Sequence, residues 1–211
     1  MQLAAETGLM SLRNSRKTYG TIAKYLHWIT ALLFLGAYLS VYYRQWFTIK
    51  DTPENWNALQ LHLSFGITIG VLVLLRVIWR LTERAPDLEP GSAITHFFAH
   101  IGHYVLYAVM IIMPITGYMA TGASNDFFFL FSIAKFEDTW LYTDFFVNTL
   151  GITVSDYEQT FDYIHKDILG AWGVWLLILF HILAALYHHY IKQDDTLIKM
   201  TSRKANDHEY Y

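Results

Sequence analysis

The chain has no cysteine. That absence removes disulfides, cysteine-ligated iron–sulfur clusters and thiolate catalysis, and with them a covalently attached c-type haem, whose C-x-x-C-H motif needs thiols. A haem in this protein is held by coordination and packing alone, and the ten histidines are the only soft nitrogen ligands it can offer a transition metal. The sequence also lacks internal repeats and low-complexity tracts. In its first twenty residues no short apolar run precedes a small-residue cleavage site, so no cleavable signal peptide is expected and the first helix is expected to be its own anchor. No nucleic-acid partner is expected; the formal net charge of −3 says little by itself, and where the charges lie says more.

What is abundant is apolar. Of 211 residues, 54% are hydrophobic, and they fall in long runs rather than in alternation. Crossing a bilayer takes about 20 helical residues. Four segments meet that need, near 20–43, 57–80, 96–121 and 164–191. The expected fold is an all-α membrane protein, a bundle of four transmembrane helices forming one domain over 1–211.

The basic residues set the expected orientation. Arg13, Arg16, Lys17 and Lys24 precede or open the first span, Arg76, Arg80 and Arg84 close the second, and Lys192, Lys199, Arg203 and Lys204 follow the fourth. Arg44, Lys50, Lys135 and Lys166 remain for the other side. The positive-inside rule then places both termini in the cytoplasm, with Trp46 and Trp56 bracketing the first outer loop at the membrane interface. The connection over 122–163 is too long for a passive turn. It carries Asp126, Glu137, Asp138, Asp144, Asp156, Glu158 and Asp162 against the single Lys135, with aromatic clusters at Phe127–Phe131 and at Phe145 and Phe146. It reads either as a solvated loop with a short amphipathic helix or as a cap or docking surface. The tail over 205–211 reads as disordered.

Four histidines lie inside the apolar runs, where polar groups are costly and usually functional. With alternating helix directions, His62 and His165 fall toward the outer face and His27 and His181 toward the cytoplasmic face. Each pair has the nitrogens for bis-histidine ligation of a low-spin haem, which leaves iron no open position and favours electron transfer. Gly66, Gly70, Gly170 and Gly173 are small residues where a flat macrocycle would approach the backbone, although such spacing also serves plain helix packing. His100 and His103, one turn apart, and His188 and His189 sit near the cytoplasmic ends. They read either as snorkelling interface residues or, with Arg16 or Arg80, as holders of haem propionates or a quinone headgroup. Of these, His188 is the preferred quinone contact.

Several stretches together resemble the bacterial cytochrome b561 family, and within it the superoxide:ubiquinone oxidoreductase type. They are Tyr25-Leu26-His27-Trp28, Leu61-His62-Leu63-Ser64-Phe65-Gly66, Ala99-His100-Ile101-Gly102-His103, and the run from His181 to Tyr190 followed by Asp195-Thr196-Leu197. The resemblance spans roughly residues 18–204. It implies a dihaem b-type cytochrome of the bacterial inner membrane, with His27, His62, His165 and His181 as axial ligands to the haem iron, and ubiquinone or menaquinone as exchangeable substrate. The leading expectation is transfer of electrons between an outer-face donor, a protein or superoxide, and the quinone pool. Its alternatives are superoxide:quinone oxidoreduction by this chain alone, and service as the cytochrome b anchor of a separate dehydrogenase or hydrogenase.

Two departures stand out. The family's two ligands on the fourth helix are two residues closer than His165 and His181, whose separation of sixteen rotates them about 160° apart on an ideal α-helix. Reconciling them needs a local widening near Gly170 or Gly173, or His165 in a non-ideal first turn. The second departure is the acidic loop, which would repel superoxide where a basic funnel would gather it.

Overall fold

The structure is a computed structural model describing residues 12–201; Arg203, Lys204 and the tail over 205–211 lie outside the described residues. Three long helices come first: α1 (Thr21–Phe47), α2 (Pro53–Thr82) and α3 (Ala93–Ala120). A two-stranded antiparallel hairpin follows, β1 (Asn125–Phe127) with β2 (Phe131–Ile133), in register Asp126 to Ser132. After a 3₁₀ turn at Phe136–Asp138 and a π-helical stretch at Leu141–Thr149, α4 (Val154–Tyr163) begins the fourth span. That span continues through a π-helical segment, Ile164–Gly173, into α5 (Val174–Tyr187) and a last π turn, His188–Lys192. A single turn, α6 (Ile198–Thr201), closes the described chain.

Among the described residues four helices are long and apolar enough to cross a membrane, and no more than 17% of the apolar window of any one is buried within the protein. Side chains such as Leu32, Leu74, Ile94 and Phe180 stay exposed on them. In water so much bare apolar surface would drive association; in a bilayer it meets lipid.

The fourth span starts earlier than its hydropathy suggests. Thr153 and Asp156 form a capping box, with the Thr153 N–H donating to the Asp156 carboxylate at 2.7 Å. Helix therefore begins at Val154, and His165 sits a full three turns inside rather than in a frayed first turn.

The chain divides into two compact units. One comprises the residues up to Ile29, Leu74–Leu106 and those from Leu176 onward; the other comprises Thr30–Val73 and Tyr107–Trp175. In the second, the hairpin is pinned to α2. Gln60 and Ser64 are buried almost completely; the Asp126 N–H donates to Gln60 Oε1 at 2.7 Å, and the Phe128 N–H donates to Ser64 Oγ at 2.9 Å. Phe128 and Phe129 take positive φ of 45° and 61° to make the tight turn between the strands. Beyond the hairpin, Phe136 is the buried centre of an aromatic cluster with Tyr118, Tyr142, Phe146 and Tyr157. The long connection is thus a packed element rather than a slack loop.

In the first unit, polar contacts gather the chain ends. Gly20 packs so closely on Arg13 that a Cβ would lie 2.3 Å from its carbonyl carbon, and its N–H donates to Asn14 Oδ1. Lys199 pairs with Glu89, both largely buried, and donates to the Asp87 carbonyl at 2.8 Å. The Trp28 indole N–H donates to the Met200 carbonyl at 3.2 Å. These contacts fold the segment after the fourth span back onto the start of α1 and onto the connection between α2 and α3.

Candidate haem sites

The structure brings the four intramembrane histidines together in two pairs, one in each unit. The His62 and His165 rings stand 6.1 Å apart, and so do those of His27 and His181. Two imidazoles bound to one iron place their ring centres roughly 6 Å apart, about 2 Å for each metal–nitrogen bond and about 1 Å from nitrogen to ring centre.

Around His62 and His165 the remaining ring nitrogens are occupied. His62 Nδ1 lies 2.9 Å from the Ala37 carbonyl oxygen on α1, and His165 Nδ1 lies 3.0 Å from the Met113 carbonyl oxygen on α3. A carbonyl only accepts, so each Nδ1 carries the proton and each Nε2 presents its lone pair, the tautomer a metal ligand requires. Gly117 on α3 makes room for this: a Cβ there would lie 2.6 Å from His165 Cε1. Gly36 on α1 faces the Phe65 ring at 2.9 Å in the same way. Gly66, one turn after His62, has nothing within 4 Å of where its Cβ would be, which leaves open space beside that histidine.

The other small residues divide differently. Gly70 packs in ordinary contact with Pro114 of α3. Gly170 and Gly173 belong to the π-helical segment, where a Cβ on Gly170 would come within 2.5 Å of the His165 carbonyl oxygen. They let the helix widen and do not flank an open space. The widening resolves the spacing problem. With i→i+5 bonding a turn takes about 4.4 residues instead of 3.6, so ten residues here cover the rotation of about eight α-helical ones. The sixteen-residue separation then has the phase of roughly fourteen.

The second pair is built with charge. His27 Nδ1 lies 3.3 Å from an Arg76 guanidinium nitrogen, and His181 stands between His27 and His103, its ring 6.1 Å from each. His103 donates from Nδ1 to its own helix at the Ala99 carbonyl, 2.7 Å away. Gly102 beside it opens on empty space. The sequence places Arg76 only among the basic residues that close the second span; its contact with His27 is made across helices. Guanidinium only donates, so against Arg76 the His27 Nδ1 is an acceptor. Were His27 to hold a metal through Nε2, Nδ1 would carry the proton and could no longer accept from Arg76, which would leave the guanidinium for a carboxylate such as a haem propionate.

The remaining expected residues lie elsewhere. Arg16 pairs with Asp87 at 2.9 Å and stays exposed, and His100 donates to the His96 carbonyl from an exposed position. His188 is held by Asp194, Nδ1 to Oδ2 at 2.5 Å, with Thr196 bonded to both residues. Burial alone would raise the Asp194 carboxyl, but hydrogen bonds from the Thr196 hydroxyl, from His188 and from the Thr196 N–H together hold it below the usual carboxylate range.

Residues 18–203 match the profile of the family described as prokaryotic cytochrome b561. The chain belongs to that family. Among its relatives are cytochrome b561 homolog 2 of Escherichia coli K12, 28% identical over 205 residues that cover 94% of this chain and 99% of the relative, and the probable superoxide oxidase CybB of Yersinia pestis, 29% identical over 196 residues covering 89% and 98%. Cytochrome b561 homolog 1 of E. coli K12 is 27% identical over 181 residues, 85% of this chain and 94% of the relative. As a cytochrome b561 the protein is a four-helix, multi-pass membrane bundle that binds b-type haem and transfers electrons.

Proposed function

We propose that this cytochrome b561 carries two b haems as a single domain and passes electrons between a donor at the outer face of the bacterial inner membrane and the quinone pool, with both termini cytoplasmic. The observation that carries this reading is the pair of ring separations of 6.1 Å, in one pair with both Nδ1 atoms already given to backbone carbonyls. His62 and His165 would hold the outer haem and His27 and His181 the inner one, with Arg76 beside it for a carboxylate. Haem so ligated supplies reversible one-electron chemistry with no open coordination position.

Quinone reduction takes two electrons and two protons, so its site needs proton carriers. His188, backed by Asp194, is the residue we assign to a quinone carbonyl oxygen; the carboxylate accepts from Nδ1–H and fixes the ring so that Nε2 points away from it, placed to carry a proton to the quinone. His100 and Arg16, both turned to other partners, are weaker claimants. The decisive experiment is a redox titration of the visible spectrum of the purified chain with its haem-to-protein ratio. Two haems per chain, extractable by acidified acetone, support the reading, and one per chain would sink it.

A second reading, superoxide oxidation coupled to quinone reduction, draws on the similarity to the probable superoxide oxidase of Yersinia pestis. The acidic connection over 122–163 opposes it electrostatically. Purified protein that reduces quinone from superoxide with no added subunit would establish that activity here and exclude a mere anchor role.

A further inference from the structure

One feature of the second unit has no part in ligation. Four aromatic side chains on α1 and α5 form a continuous row of ring contacts that ends at a buried tyrosine. Trp46, 68% exposed at the end of α1, stacks on Tyr42 at 4.7 Å and 7°. Tyr42 lies nearly parallel to Trp175, 6.4 Å and 11°, and accepts its indole N–H at 2.8 Å. Trp175, itself 40% exposed, packs on Tyr38 at 4.6 Å with the rings tilted by 44°. Tyr38 is buried, 8% exposed, and it is where the stack meets the ligand framework: the carbonyl of its neighbour Ala37 receives His62 Nδ1, and its own hydroxyl donates at 3.0 Å to Gly170 in the π-helical segment that carries His165.

An interfacial aromatic belt accounts for an exposed tryptophan at a helix end. It does not account for a stack that ends at a buried tyrosine bonded beside both ligands. Indoles are hard to oxidise, so such a stack is silent toward ordinary quinone-level donors; it conducts only when a strong one-electron oxidant reaches its outer end. Indoles also give up an electron without at once having to shed a proton.

We infer that Trp46, Tyr42, Trp175 and Tyr38 form a protective electron route, by which the outer haem refills oxidising holes made at the protein surface by strong one-electron oxidants of the hydroxyl-radical class. The inference rests on the reading that His62 and His165 hold a haem. In balance, the oxidant takes one electron from Trp46, hydroxyl radical becoming hydroxide. Trp175 refills Trp46 across the Tyr42 ring, and ferrous iron refills Trp175 past Tyr38 and becomes ferric. The net reaction is one electron from iron to oxidant with no proton consumed, and the established electron transfer reduces the iron again.

The test is flash oxidation of the haem-loaded full chain in lipid nanodiscs by photogenerated tris(bipyridine)ruthenium(III), following the indole radical by transient absorption and electron paramagnetic resonance. In the ferrous protein the indole radical should decay in step with haem oxidation, and in the ferric protein it should persist. Trp175→Phe keeps an aromatic ring in place and should abolish the matched phase, leaving the radical stranded. Trp46→Phe, which keeps an aromatic ring at a position 68% exposed, should lose the surface radical and the haem oxidation that follows it. Haem oxidation unchanged in both variants would overturn the route, since the reagent would then reach the haem directly. A visible spectrum unchanged in His62→Ala would overturn the ligand reading instead, and the two failures are therefore distinguishable.

Discussion

His62 Nδ1 and the carbonyl oxygen of Ala37 lie 2.9 Å apart, tying a side chain of α2 to the backbone of α1. That single bond fixes a tautomer and a ring direction together. Ser40 donates to the same carbonyl at 2.8 Å, so the acceptor is itself held in place. Orienting partners of this kind typically matter 10–100-fold for metal affinity.

Ligand variants should sort by pair. His27→Ala or His181→Ala should remove one haem component of the redox-titrated spectrum and spare the other, and His62→Ala should do the reverse. His103→Ala is the discriminating control, because its ring is as near His181 as that of His27. It should retain both haems. Loss of the same component in His27→Ala and His62→Ala would show the pairing to be wrong.

Gly117→Ala should strike the outer haem from a position that touches no electron. The added Cβ would lie 2.6 Å from His165 Cε1, and that ring is anchored by its bond to Met113. Overpacking of this sort costs about 1–3 kcal/mol. We expect a lower melting temperature with partial loss of one spectral component, whereas Gly122→Ala, which meets open space, should change neither.

The Asp194 clamp on His188 carries a pH signature. Its carboxyl is held below the ordinary range in the folded protein, so it contributes stability that is fully present above the unfolded carboxylate pKa, about 3.9, and is lost as pH falls through the lower folded value. Amide exchange of the segment after Lys192 should therefore stay protected through mildly acid pH and rise only in strong acid. Asp194→Asn should remove that acid transition and, on our reading, slow quinone reduction while leaving both haem spectra intact. An unchanged quinone rate would remove His188 from the site.

Salt should report on the partner. Debye screening acts over about 8 Å at physiological ionic strength. If a cationic protein meets the acidic surface of residues 122–163, haem reduction by it should slow as salt rises. If superoxide is the donor, the slope should reverse, and replacing Asp138, Asp144 and Asp156 together by asparagine should speed reduction. A flat response for every donor would leave the connection a structural cap.

Hydropathy was sufficient to find four spans, because a bilayer imposes their length, and alternating helix direction was sufficient to pair His62 with His165 and His27 with His181. The start of the fourth span was not legible that way. Val154–Tyr163 is polar, and its helix is declared by the Thr153–Asp156 capping box instead. The widening of that helix was legible only as an inconsistency, a spacing of sixteen that an α-helix does not satisfy. The contacts of Arg76 and Gly117 were not legible for a different reason. Each acquires its role from a histidine on another helix, and contact across helices leaves no local pattern in the chain.

Gln60 and Ser64, which anchor the hairpin, are one turn apart on α2, while His62 between them points about 200° round the helix from either. One short stretch therefore serves two tasks on opposite faces. The connection can change in sequence without refitting the face that carries His62: a graft of the segment from Gly122 to Gly151 between relatives that keeps Gln60 and Ser64, together with the Tyr118 and Tyr157 that pack on Phe136, should leave the absorption bands where they were.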